Sequence, residues 1–127
     1  MKFLARLAPY FLSALRIAAA ITFIEHGTQK LFAVPIGPRV ALASLLGLAA
    51  VLETLGGALM LLGALTRPVA LVLAGEMAYA YFTVHAPQGR WPIQNQGELA
   101  VLYCFLWLYF SAAGAGPISV DRAMRRV

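Results

Sequence analysis

Four carboxylates stand where lipid is expected. Glu25, Glu53, Glu76 and Glu98 each fall in a different long apolar stretch, and the only other acidic residue is Asp121, near the C-terminus. An ionisable side chain in hydrocarbon is costly and turns toward a bundle interior, a partner or a water-filled cavity. One per stretch predicts that the four point to a shared centre. His26 adjoins Glu25 in FIEHGTQKLF (23–32), and Gln29 and Lys30 follow within a turn. Such groups can hydrogen-bond a ligand carbonyl and pass its proton. They can also hold two irons, but only with Glu-x-x-His, which puts both ligands on one helix face. Here Glu25 and His26 are adjacent and point ~100° apart. Glu76 and His85 point in opposite directions. No metal is expected.

The elements that must position these groups are helices. The chain has 127 residues, 61% hydrophobic and 12% charged, where a soluble domain carries about 25% charge. Lipid is therefore the expected solvent. Breaks at Pro35-Gly37-Pro38, Thr66-Arg67-Pro68, Pro87 to Gly97 and Gly114-Ala115-Gly116-Pro117 divide the chain. The segments between are about 18–25 residues long, enough for a helix to cross ~30 Å of hydrocarbon. We place four transmembrane helices near 8–32, 40–65, 68–86 and 97–113, in an all-α antiparallel bundle. Pro68 suits the first turn of the third, where its missing N–H costs nothing. The short TRP connection makes the second and third helices neighbours.

Four spans put both termini on one side, with Lys2, Arg6, Arg67, Arg122, Arg125 and Arg126. The opposite loops carry Lys30, Arg39 and Arg90. The positive-inside rule then places both termini in the cytoplasm. The N-terminus imitates a signal peptide, but Arg16 interrupts its apolar run, and an uncleaved first span is expected. The net charge of +5 is scattered or terminal, without interleaved aromatics, so no nucleic-acid partner is expected. Cys104, the single cysteine, has no intrachain partner and reads as a small buried hydrophobe.

Depth follows from ~1.5 Å per residue. Glu53 and Glu76 fall near the midplane, Glu25 and His26 in the outer half, and Glu98 near the outer surface. The polar groups then outline a wedge open to the outer face. Thr22, His26 and Lys30 stack on one helical stripe, with Glu25 and Gln29 on its flank. Glu76, Tyr79, Ala80 and Thr83 share a face of the third helix. Ligand-binding candidates are Glu25, His26, Gln29, Glu98 and Tyr79. Arg16, Glu53 and Glu76 are expected to form a buried charge network, with Arg16 reaching over Gly56 and Gly57 to one of the glutamates. Lys30 is expected to snorkel to the surface, and His85 to be an interfacial histidine. Each polar residue also has a plainer reading as interhelical glue.

Arg16-Ile17, HGTQKLF (26–32), Glu53 with Gly56-Gly57, LLGALTR (61–67), EMAYAYFTVH (76–85), GELAVLY (97–103) and GAGPISVD (114–121) occur in the order found in the DoxX family. The chain resembles that family over nearly its whole length, as a single transmembrane domain spanning 1–127. The resemblance implies a multi-pass protein of the bacterial inner membrane, linked to quinone-dependent oxidoreductases. It implies a quinone as candidate cofactor and an oxidoreductase as candidate partner protein. The family's polar positions map onto Arg16, His26, Gln29, Lys30, Glu53, Glu76, His85 and Glu98. Three functions compete. The first is a redox-linked subunit binding a quinone-like ligand, with electrons supplied by a partner, since no electron carrier is visible in the chain. The second is a non-catalytic anchor or assembly subunit of an oxidoreductase complex. The third is a small-solute or proton-linked transporter, for which a homo-oligomer is expected.

Overall fold

The computed structural model describes residues 1–125, and Arg126 of the charge count lies outside them. Among the described residues six helices make up the fold: α1 (Lys2–Phe32), α2 (Leu45–Leu62), α3 (Thr66–Gln88), the single turn α4 (Pro92–Asn95), α5 (Glu98–Ala113) and α6 (Val120–Met124). No strand occurs among the described residues. Three helices, α1, α2 and α3, are long and apolar enough to cross a membrane. α5 is also apolar, but its 16 residues rise only about 24 Å.

The helix limits differ from expectation for local reasons. α1 begins at Lys2 rather than near 8, because Lys-Phe-Leu-Ala-Arg-Leu contains good helix formers. Pro9 lies inside it and costs one backbone bond. α2 begins at Leu45 rather than near 40, because Ser44 caps it: its Oγ accepts the Gly47 N–H at 3.0 Å. α2 ends at Gly63, whose φ of +67° is the left-handed stop that glycine takes without strain. Pro68 does lie in the first turn of α3.

Two helix pairs pack closely, α1 with α2 and α3 with α5. Small residues set the first pair. A Cβ on Gly27 would sit 2.2 Å from Thr54 Oγ1 and 2.8 Å from the Ala50 carbonyl oxygen, and one on Gly57 would meet Ile24. Backbones that close leave room only for glycine. The second pair buries Leu73, Ala74 and Met77 of α3 against Tyr103, Trp107 and Phe110 of α5. Phe23 of α1 joins the pairs, with its ring 5.1 Å from Tyr103 and 5.3 Å from Trp107. Despite the short TRP connection, α2 and α3 share a looser seam than either close pair. Leu48, Leu55, Leu71, Phe82, Leu102 and Phe105 point outward and are exposed. Such a coat fits hydrocarbon, not water.

The C-terminal segment folds back onto the first half of α1 and closes that end of the bundle. The Ile118 N–H donates to Ser13 Oγ at 3.2 Å. A Cβ on Gly116 would meet Ser13 Oγ at 2.4 Å. Arg16 is fully buried and donates only to carbonyls: Ala115 at 2.9 Å, Leu61 at 2.7 Å, Ile118 and Met60. Its expected pairing with Glu53 or Glu76 does not form. Helix carbonyls have no intrahelical partner in the last turn, and the end of α2 offers two of them to a guanidinium fork that α1 presents at the same depth.

Asp121 completes this end. Its carboxylate accepts the Leu65 and Thr66 N–H groups at 2.8 and 2.9 Å, and its own N–H donates to the Gly63 carbonyl. It is an N-cap for α3 supplied from the far end of the chain. Burial alone would raise this carboxyl, but the Thr66 and Leu65 donors and nearby Arg125 outweigh it and hold the group below its ordinary range. A depressed carboxylate stabilises fully above its unfolded value of about 3.9, and that stability is lost as pH falls through the lower folded value. Asp121→Asn is therefore expected to speed amide exchange at Leu65 and Thr66 at neutral pH and to remove the acid-dependent step seen in the parent. Hydrogen exchange, corrected for intrinsic rates, checks this. Equal protection in both proteins would show that the cap is idle.

Candidate functional site

α1 turns Arg16, Ala20, Phe23 and Gly27 into the bundle, and half-buried Lys30, one turn beyond Gly27, organises the polar groups of the half away from the termini. Lys30 does not snorkel. Its Nζ donates to both oxygens of Glu53, at 2.6 and 2.7 Å. The Glu53 side chain is 5% exposed and that of Lys30 25%. The Gly27–Thr54 approach brings the helices close enough for this reach. Glu53 lies in a π-helical turn, Leu52–Gly56, a widened turn of a kind often found at functional sites. α3, which carries Glu76, contacts the Leu52–Gly56 turn of α2 that carries Glu53. Both carboxyl oxygens of Glu76 are buried and have no hydrogen-bond partner among the described residues.

Two turns back along α1, the Thr22 hydroxyl hydrogen-bonds the Tyr103 hydroxyl of α5. The His26 ring stands edge-on to Tyr103 at 6.5 Å and is half-buried. Thr22 and Tyr103, but not His26, line a groove of about 280 Å³ between α1 and α5, walled otherwise by Leu15, Ala18, Ala19, Leu99, Leu102 and Leu106. Thr22 and Tyr103 carry its only side-chain hydroxyls. A second groove, between α2 and α3, is wholly apolar.

The other expected ligands do not converge. Glu25 is exposed, because α1 turns Phe23 and Gly27 inward and two residues of rotation carry Glu25 to the opposite side. Tyr79 is 58% exposed. α3 turns its Leu73–Ala74–Met77 face to α5, which leaves Tyr79 on the outer side. Glu98 is exposed in the first turn of α5, where a carboxylate complements the helix dipole. Gln29 is half-buried beside Gly37, where φ is +106° and a Cβ would sit 2.7 Å from its Nε2. That contact packs the loop after α1. His85 is half-buried, with Nδ1 3.1 Å from the Asn95 carbonyl oxygen and its ring stacked on Tyr81. Asn95 itself is buried. It donates to the Gly89 carbonyl and accepts the Gly97 N–H, and so holds the α3–α5 connection. Nothing in the sequence analysis marked it, because it stands in a stretch read only as a break. Among the described residues, no group of three or more His, Cys, Asp or Glu side chains is placed to hold a metal ion.

An all-helical chain with a lipid-facing apolar coat and charged groups held inside is an integral membrane protein. The DoxX family profile matches residues 11–86, and the chain belongs to that family. A protein of Haemophilus influenzae, described as uncharacterized, is 46% identical over 95% of this chain and 96% of its own length. No solved structure matches the chain.

Proposed function

We propose that this DoxX protein is a redox-linked membrane subunit that binds a quinone-like ring compound in the α1–α5 groove. The observation that carries this reading is the hydroxyl pair Thr22–Tyr103 in an otherwise apolar, lipid-facing groove, with His26 beside it. A ligand that arrives through lipid needs apolar walls and a few polar groups to orient its carbonyls. Turned from Thr22, the Tyr103 hydroxyl can donate to a carbonyl oxygen of the oxidised ring, and His26 can donate to such an oxygen or accept from the hydroxyl of the reduced ring. The ring compound supplies the electron-accepting chemistry, and an oxidoreductase partner protein supplies the electrons. The groove residues bind, orient and exchange protons.

In this reading α5 is the fourth span, and both termini lie in the cytoplasm of a bacterium with the chain in its inner membrane. Lys2, Arg6, Arg67, Arg122 and Arg125 cluster at the terminal end. With Lys30 tied to Glu53, the opposite loops keep only Arg39 and Arg90. The positive-inside bias supports that orientation.

Trp107 stacks on Tyr103 at 5.8 Å, so its fluorescence reports on the groove. In a Trp91→Phe background, decylubiquinone is expected to quench Trp107 saturably. Ala18→Phe, which fills the groove, and His26→Ala are each expected to weaken binding about tenfold, the loss of ~1.4 kcal/mol. Quenching that is unsaturable, or equal in Ala18→Phe and its parent, would remove the groove as a ligand site. A stoichiometric protein partner recovered with such a protein would instead make it an anchor.

A further inference from the structure

We propose that Glu76 is an exchangeable proton-binding site, set beside the Lys30–Glu53 ion pair and independent of the α1–α5 groove. The argument is a charge count in a place where charge must balance. α1 contributes one ammonium, Lys30, and α2 one carboxylate, Glu53. Lys30 bonds both Glu53 oxygens, so that pair is neutral and its donors are turned to Glu53. α3 then adds Glu76, whose two oxygens are buried without a donor. α5 brings no compensating cation. Its one carboxylate, Glu98, is exposed, and its Tyr103 hydroxyl is engaged with Thr22. On α3 itself Tyr79 is exposed and His85 is held at Asn95. Arg16 is spent on four carbonyls at the terminal end.

One positive charge must be bound for the cluster to be neutral. A hard metal cation needs about six oxygen ligands, and Glu53 and Glu76 bring four carboxylate oxygens, two of them held by Lys30. A proton needs one. Held on Glu76, it leaves three groups with no net charge, a state that lipid-like surroundings tolerate. Removing it sets two carboxylates in competition for Lys30. The partly exposed Lys30 side chain connects the cluster to the surface near the outer end of α1, so the proton exchanges from that side.

Dicyclohexylcarbodiimide, an apolar reagent that attacks protonated carboxyl groups, tests this on the whole protein in proteoliposomes. One adduct on Glu76 is expected at neutral pH, declining as pH rises. Infrared spectra should show a protonated-carboxyl band that shifts in D2O and is missing in Glu76→Gln. Lys30→Met should add a second adduct, on Glu53. The proposal is overturned if Glu76 stays unlabelled while exposed Glu25 or Glu98 reacts, if labelling of Glu76 ignores pH, or if the band survives in Glu76→Gln. These readouts do not involve a quinone, so they stand or fall separately from the groove.

Discussion

Arg16→Met is expected to be the most damaging single substitution in the protein. Methionine fills much of the same space, so the loss is polar. The carbonyls of Leu61, Ala115 and Ile118 lose the donor seen in the structure, and Met60 keeps only the Gly63 N–H. Each buried acceptor left unpaired costs about 1–3 kcal/mol, so the total is several kcal/mol. That is a large share of the ~5–15 kcal/mol that holds a typical fold. The end of α2, the C-terminal segment and the Asp121 cap on α3 should loosen together, because Arg16 bonds carbonyls of both segments at once. Thermal unfolding in detergent, followed through buried Trp107, should show a midpoint lower by about 10 °C or more. Arg16→Lys should fall between the two, since an ammonium lacks the planar fork that reaches two segments at once. A midpoint within about 2 °C of the parent for Arg16→Met would show that these carbonyls find other donors at little cost.

Lys30→Met carries the second largest effect. It removes the ammonium from Glu53 and leaves a carboxylate with a 5% exposed side chain without its counter-charge. Breaking a buried pair from one side costs about 3–5 kcal/mol. Adding Glu53→Gln to Lys30→Met should recover much of the loss, because the pair as a whole contributes far less than its halves cost when separated. A double-mutant cycle in mixed micelles measures this. Single and double variants that are equally stable would mean that the ion pair is not maintained in the membrane. A single variant within ~0.5 kcal/mol of the parent would mean the same.

Both residues show how far residue type and spacing reach. That Arg16 and Lys30 lie in or beside an apolar helix is plain from the sequence, as is the need for each to be satisfied. Their partners were not. Opposite charge points Arg16 to a glutamate, and a lysine near a helix end can reach water. Both assignments changed through backbone geometry. Glycine contacts at Gly27 and Gly57 draw α1 and α2 together and turn Lys30 onto Glu53. The return of the C-terminal segment brings carbonyls to Arg16 first. The stripe Thr22, His26, Lys30 was legible as a helical face, and all three residues do point to partners. Spacing and depth group Glu25, Tyr79 and Glu98 with them, but the rotation of each helix turns these three outward.

By itself the sequence determined the solvent and the local structure. Its apolar content and its proline and glycine breaks specify long helices in lipid, and its motif order specifies the family. These properties are local and additive along the chain, so they can be read from it. Which polar groups meet was decided only by the tertiary structure. A contact between residues 16 and 118, or 30 and 53, depends on helix rotation, on crossing distances set by single glycines, and on where the chain's end folds back. Rotation by one residue moves a side chain ~100°, enough to exchange a core position for a lipid-facing one.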